Sequence, residues 1–276
     1  MIVLHLALVL CRGGEPAAST SAVTAIGPID RAFARMYNFD FAGAEAILHE
    51  YSRVQPEDPL TYSVTAGTYL FAELNRLQIL QTEFFTDDRK MRSKRKLKPD
   101  PGLRQKLLKA LEEARKRASG RLAVDPEDTN ALFAMCMAAG VETDYTAFVE
   151  GRRWRGLKMA HQANTYALKL LSKEPPFYDA HHTVGTIEYI VGSLPFFLRW
   201  FIHFDQVEGD KQIGIDKLNQ VAEKGRYFRP YAKILLAVIH LREKKPQQAA
   251  KLLEELARDF PENPLIKQEL AKLTVR

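Results

Sequence analysis

The feature that most constrains this chain is a small residue that recurs with a proline behind it. Ala44, Ala114, Ala163 and Ala249 are each followed, 12 positions on, by Pro56, Pro126, Pro175 and Pro261. Gly214 holds the equivalent place in a fifth copy opened by Gly209-Asp210. Around these points the apolar residues keep a helical period. Segment 247–259 sets Ala249, Leu252, Leu253 and Leu256 on one stripe, and segment 229–243 does the same with Tyr231, Ile234, Leu235, Val238 and Leu241. This is the i, i+3, i+4, i+7 spacing of an amphipathic helix. No β-branched alternation runs for five residues, so no strand is expected. A small side chain at a fixed register lets two helices approach closely. A proline lacks the N–H of a helical residue and clashes with the preceding turn, so it ends the second helix. The chain past residue 28 is therefore predicted to be all-α, a stack of helix pairs.

When the last copy is numbered so that Pro261 stands at 32, Leu236, Ala237, His240, Ala249, Leu253 and Leu256 fall at 7, 8, 11, 20, 24 and 27. Small residues recur at position 8 as Ala66, Gly185 and Ala237. The phrases Gln55-Pro56-Glu57-Asp58 and Asp125-Pro126-Glu127-Asp128 are near copies. This pattern resembles the tetratricopeptide repeat, a helix–turn–helix of about 34 residues, over roughly residues 28–273. Position 27 departs from it, reading Tyr51, Arg121, Leu170, Val221 and Leu256 where the family usually carries alanine. The resemblance implies a solenoid of about five helix pairs, capped by a helix at Leu265–Leu273. The block Tyr189-Ile190-Val191-Gly192-Ser193-Leu194-Pro195, with Gly209-Asp210-Lys211 and Arg229–Leu241, is similar to a group of uncharacterised exported bacterial repeat proteins. It is more distantly similar to a mitochondrial tetratricopeptide family linked to inclusion-body clearance. Neither group supplies a catalytic residue.

The spacing of the small residues adds a geometric expectation. Steps of 70, 49, 51 and 35 separate them. Against the 34-residue repeat, the first three steps carry insertions, between Tyr69 and Gly102, Gly140 and Gly151, and Tyr189 and Gly209. Insertions at equivalent points of a solenoid emerge on one side. The basic run 89–98, the loop around Asp144-Tyr145 and the apolar run 194–204 are thus expected on one edge. Part of the first insertion is expected to lengthen a helix over Leu60–Phe85.

Charge and composition narrow the function. The net charge is +6, yet residues 89–98 alone carry seven cations and no acid, so the rest of the chain sums to −1. A nucleic-acid binder would spread its cations along a face, and no nucleic-acid partner is expected. Arg92, Lys94, Arg95 and Lys96 in that run are candidates for a solvated loop or for docking an acidic partner or anionic lipid. Phe196, Phe197, Trp200, Phe201 and Phe204, within LPFFLRWFIHF, read as buried core, as a partner's groove, or as an interfacial membrane segment. Trp154 among Arg152, Arg153 and Arg155 either stacks on its own helix or offers a cation–π surface. His181 and His182 with Glu188 are the nearest thing to a metal or catalytic cluster, but two ligands do not make a site. No P-loop, GxSxG, HExxH, CxxC or GxGxxG occurs, so no enzyme activity, cofactor or metal is expected.

Residues 1–22 combine the apolar stretch 2–10 with the small residues Pro16–Ala22. They read as a secretory signal peptide and linker, followed by the repeat domain over 28–276. Leu10 stands where a lipidation box before Cys11 would want a smaller residue. The expected location is the periplasm or cell envelope, with a cytoplasmic chain as the alternative. The function expected from the resemblance is a non-catalytic scaffold for a protein or peptide partner, with peripheral membrane contact as a further option. The rival reading is an apolar-ligand-binding accessory of a transport system.

Overall fold

The structure, a computed structural model, describes residues 26–82, 98–199 and 204–274. The segment 1–22 and the cations Arg92, Lys94, Arg95 and Lys96 lie outside the described residues, as do Trp200 and Phe201. Among the described residues the chain is all-α, with no strand. Ten helices form five consecutive pairs: α1 (Pro28–Tyr37) with α2 (Phe41–Val54), α3 (Pro59–Arg76) with α4 (Pro101–Val124), α5 (Thr129–Asp144) with α6 (Arg153–Lys173), α7 (Tyr178–Ser193) with α9 (Lys211–Lys224), and α10 (Arg229–Arg242) with α11 (Pro246–Asp259). A π-helical turn, Tyr145–Val149, follows α5, and the short α8 (Phe196–Arg199) lies between α7 and α9. The last helix, α12 (Pro264–Thr274), packs on α11.

One turn is built again and again between pairs. The backbone N–H of Gln55, Asp125, Glu174 and Phe260 donates to the carbonyl of Tyr51, Arg121, Leu170 and Leu256, each at 2.8 Å. Three residues later Asp58, Asp128, Phe177 and Asn263 donate back to those turn residues. Asp58, Asp128 and Asn263 then cap the next helix, accepting from Leu60, Ala131 and Leu265 at 3.2, 3.0 and 2.9 Å. The proline sits inside each turn, where it stops the helix, and the Asp or Asn satisfies a free N–H of the next one. The turn within a pair recurs too. Asp40, Ile79 and Lys245 donate to carbonyls five residues back, and Phe39, Gln78 and Lys244 take the left-handed conformation at φ 65°, 57° and 60°, the Schellman way of ending a helix.

The close-contact positions are where small residues are needed. Ala44, Ala66, Ala114, Ala163, Ala237 and Ala249 are all buried. A Cβ on Gly214 would lie 2.7 Å from both the Gly185 carbonyl and the Tyr189 nitrogen, and one on Gly185 would lie 3.0 Å from the Gly214 carbonyl. The backbones of α7 and α9 thus touch where the two glycines cross.

The first helix of each pair faces the molecular centre and the second faces solvent. In α5 every residue from Ala131 to Ala139 is buried, whereas α2 buries only Ala44 and Leu48. The sequence explains the split, since α5 has no charged residue before Glu142 and a helix apolar all round belongs inside. Helices α1, α3, α5, α7 and α10 supply aromatic rings to one central cluster. Phe33 stacks on Tyr227 at 5.1 Å, Phe133 meets Phe228 at 5.6 Å, and Tyr231 meets Phe71 at 5.4 Å and His182 at 4.6 Å.

That cluster joins the two ends of the chain. Arg226 forks onto Asp30 with two bonds of 2.9 Å, and Tyr37 donates to the Tyr227 carbonyl at 3.0 Å. Asn263 donates to the Tyr37 carbonyl at 2.7 Å, and Thr82 bonds to Glu269 on α12. The inner side of the stack is occupied by the protein's own side chains. The helix expected over Leu60–Phe85 instead ends at Arg76, where the left-handed Gln78 turns the chain.

Candidate functional site

The described flanks of the three insertions adjoin one another. Glu73, fully buried at the end of α3, accepts from Arg76 at 2.7 and 2.9 Å and from the backbone N–H of Asp100 at 2.8 Å. Arg76 also donates to the Lys98 carbonyl at 2.6 Å, so both flanks of segment 83–97 are held. Arg104 on α4 pairs with Glu150, just past the π turn, at 3.5 Å. Gly156 on α6 is pressed against that turn, where a Cβ would come within 2.8 Å of the Ala147 Cβ. Further along α6, Asn164 donates to the Asp205 carbonyl at 2.9 Å, and Ala160 packs with Ile187, Val191, Phe204 and Val207.

The third insertion is closed by one side chain. Arg199 donates to the carbonyls of Leu194, Gly192 and Gly209 at 3.0, 2.6 and 3.2 Å. Glu188, buried on α7, receives the backbone N–H groups of Glu208, Gly209 and Asp210 at 3.1, 2.7 and 3.1 Å. Asp179 at the other end of α7 does the same for Arg226, Tyr227 and Phe228 at 3.0, 3.0 and 2.7 Å. Burial pushes the Asp179 carboxyl up, against the opposing pull of those N–H groups.

These bonds commit the Glu188 carboxylate to backbone rather than to either histidine. All three of Glu188's contacts are to backbone, His182 is wedged between the rings of Phe228 and Tyr231, and burial lowers its pKa to about 4. Burial lowers His181 as well. Among the described residues no group of three or more His, Cys, Asp or Glu side chains is placed to hold a metal. Cys136 is a free, buried thiol on α5, raised to about 11 by burial despite its contact with Thr183.

The apolar run divides. Phe204 is half-buried against Ala160, Ile187 and Val191, with its ring 6.0 Å from that of His161. Phe197 is 56% exposed. Phe196 opens α8. Trp154, in the first turn of α6, is 50% exposed, and none of the cation–π pairs among the described residues involves it. From Gly151 to Lys173 the chain carries six cations and no acid.

A cleft of about 310 Å³ lies at the opposite edge, lined by Asp30, Tyr51, Asp58, Arg121, Asn130 and Arg226 among others. Its cations are engaged internally, Arg226 by Asp30 and Arg121 by Asp128 at 2.7 Å. None of its lining comes from the described residues of the 194–204 segment. No helix among the described residues is long and apolar enough to cross a membrane. No protein-family model and no curated protein matches the chain.

Proposed function

We propose that this protein is a non-catalytic, tetratricopeptide-like scaffold of the bacterial cell envelope that holds a protein partner along its insertion edge. The observation that carries the reading is the fourfold recurrence of the same turn between helices, with the described flanks of the insertions at the other end of the helices. Repeat stacks of this kind work by presenting surface rather than chemistry. Here the inner side is filled by Phe33, Phe133, Phe228 and Tyr231, which directs binding to the rim. The Glu188 carboxylate is taken up by backbone N–H groups and His182 packs between two rings, which favours a scaffold over an enzyme.

The test removes segment 84–97, which holds the basic run, and joins the flanks by a Gly-Ser linker. Glu73, Arg76, Lys98 and Asp100 fix those flanks from outside the deletion, so the variant is expected to keep its helicity and melting midpoint. Pull-down from native envelopes with the intact chain should retain a stoichiometric protein that the deletion loses. A control variant, Val124→Glu at the opposite edge, should retain it. Equal retention by all three chains, or by none, would sink the proposal.

A further inference from the structure

Asp144 stands apart from the other acids of the molecular interior. Among the described residues the buried carboxylates of Glu73, Asp179, Glu188 and Glu269 each accept two or three hydrogen bonds. Asp144, half-buried at the end of α5, has no hydrogen bond and no ion pair among those residues, and it does not cap the π-helical turn that follows it. Burial raises its carboxyl to about 7. A carboxylate so placed carries a desolvation cost that no neighbouring group offsets. An acid kept where it costs stability is a mark of function rather than of packing.

An opening lies beside it, on the face of α5 that it shares. Met137 and Val141 lie against Gly67 of α3, and Cys136 touches Thr183 of α7. Between these two contacts runs the stripe Phe133, Gly140, Asp144. It points to the molecular centre, since the Phe133 ring meets Phe228 of α10 at 5.6 Å. Gly140 and Asp144 stand two and three helical turns beyond Phe133, about 10 and 16 Å by helical rise. A Cβ added at Gly140 would find no atom within 4 Å. The aromatic cluster thus fills the centre at the level of Phe133 and leaves it open at the level of Gly140, toward the insertion edge. Tyr231 lies at the base of the opening. Its ring stacks on His182 at 4.6 Å and meets Phe71 of α3 at 5.4 Å, and its hydroxyl is raised by burial and then by the charge of Asp144. On the α7 side the His182 Nε2 and, one turn on, the Thr186 hydroxyl are buried without hydrogen-bond partners. Buried polar atoms left unsatisfied call for an occupant.

We propose that this opening is a binding site for an organic cation, an ammonium or guanidinium on an alkyl stem, with the Asp144 carboxylate as its counter-ion and the rings of Tyr231 and Phe71 at its base. The unpaired carboxylate selects the sign of the occupant. A metal ion needs several oxygen ligands, and Asp144 belongs to no group of His, Cys, Asp or Glu side chains placed to hold one among the described residues. Aromatic rings beside a carboxylate favour an organic cation over a hydrated one, because the rings attract its charge and accept its apolar stem. The missing side chain of Gly140 leaves room for that stem. A basic side chain of a protein partner and a free alkylamine share this chemistry. The site goes beyond the scaffold reading and stands without it.

The test uses the purified full-length chain and small probes in mildly alkaline buffer, so its failure leaves the envelope pull-down, and the scaffold reading, untouched. Saturation-transfer NMR is run at constant ionic strength with n-butylammonium, with the peptide acetyl-Ala-Lys-Ala-amide and with neutral n-butanol. Transfer is expected to n-butylammonium and not to n-butanol. Asp144→Asn should reduce it about tenfold or more while raising the melting midpoint, a pair of changes that a purely structural acid would not give. Gly140→Leu fills the opening and should abolish transfer as well. Its melting midpoint should equal or exceed that of wild type, because nothing lies near the added Cβ and leucine is the better helix former. Transfer to the peptide lysine too assigns the site to a partner's side chain, and transfer to the free amine alone assigns it to a small ligand. A wild type that binds the cation no better than n-butanol, or binding indifferent to both substitutions, overturns the proposal.

Discussion

Two groups of opposite character lie at the central aromatic cluster, His182 buried and Asp144 half-buried. His182 is pushed from 6.5 down to about 4 by burial, and Asp144 at the end of α5 is pushed from 3.8 up to about 7 by the same cause. The unfolded chain takes up the histidine proton below pH 6.5 and the folded chain does not, so this contribution to stability is lost as pH falls from 6.5 to 4. Asp144 stays protonated in the folded chain while the unfolded chain ionises, so its contribution is lost as pH rises from 3.8 to 7. The two slopes oppose each other between about pH 4 and 6.5. Asp144→Asn should therefore unmask the histidine slope, with stability rising with pH across that window. Above pH 7 the variant should be more stable than wild type by about 1–2 kcal/mol, a figure reduced because Asp144 is only partly buried and its charge is screened. Urea midpoints at acidic, intermediate and alkaline pH would check this. An unchanged profile would mean that Asp144 is solvated. The sequence offered His182 as a candidate ligand, because side-chain type is visible in a sequence and the rings of Phe228 and Tyr231 around it are not.

Among the helices, the decisive dimension is the distance between paired backbones. Ala44, Ala114, Ala163, Gly214 and Ala249 are buried, one on the second helix of each pair, and their small size is the mark in the sequence of a place where bulk is not accommodated. Gly214→Ala puts a Cβ within 2.7 Å of two backbone atoms of α7, which cannot move without shifting the helix. The expected cost is about 1–3 kcal/mol. Gly120, on the exposed face of α4, has nothing within 4 Å of an added Cβ. There Gly120→Ala should gain up to about 1 kcal/mol from helix propensity alone. Thermal melts of the pair test the register directly, and equal shifts would refute it. The helix ends were less legible. Leu60–Phe85 reads as one amphipathic run, but the left-handed Gln78 stops it at Arg76, and no glycine or proline announces that turn.

In the whole molecule, closure replaces the open ends of a linear array. Phe228 touches Phe33 on α1, Phe133 on α5 and His182 on α7, so it bridges the first helix pair to the last. In an open stack each repeat answers only to its neighbours, and ends fray independently. Here Phe228→Ala should cost about 3–5 kcal/mol and lower the stability of the molecule as a unit. Far-ultraviolet dichroism and tryptophan fluorescence should give coincident unfolding transitions for wild type and variant alike. Separate transitions for the two ends would show that the closure contributes little.

The sequence by itself determined the helices, their pairing, the turns between them and the places where backbones must touch. All of these are local: a capping aspartate, a proline or a small residue acts on neighbours within one repeat. Tertiary structure decided that the stack closes and that its inner side is filled by aromatic rings. Closure joins Asp30 to Arg226 and Tyr37 to Asn263, across nearly the whole chain. It depends on the summed rotation of five helix pairs, and a small rotation per pair leaves no mark on the spacing of residues within any one of them.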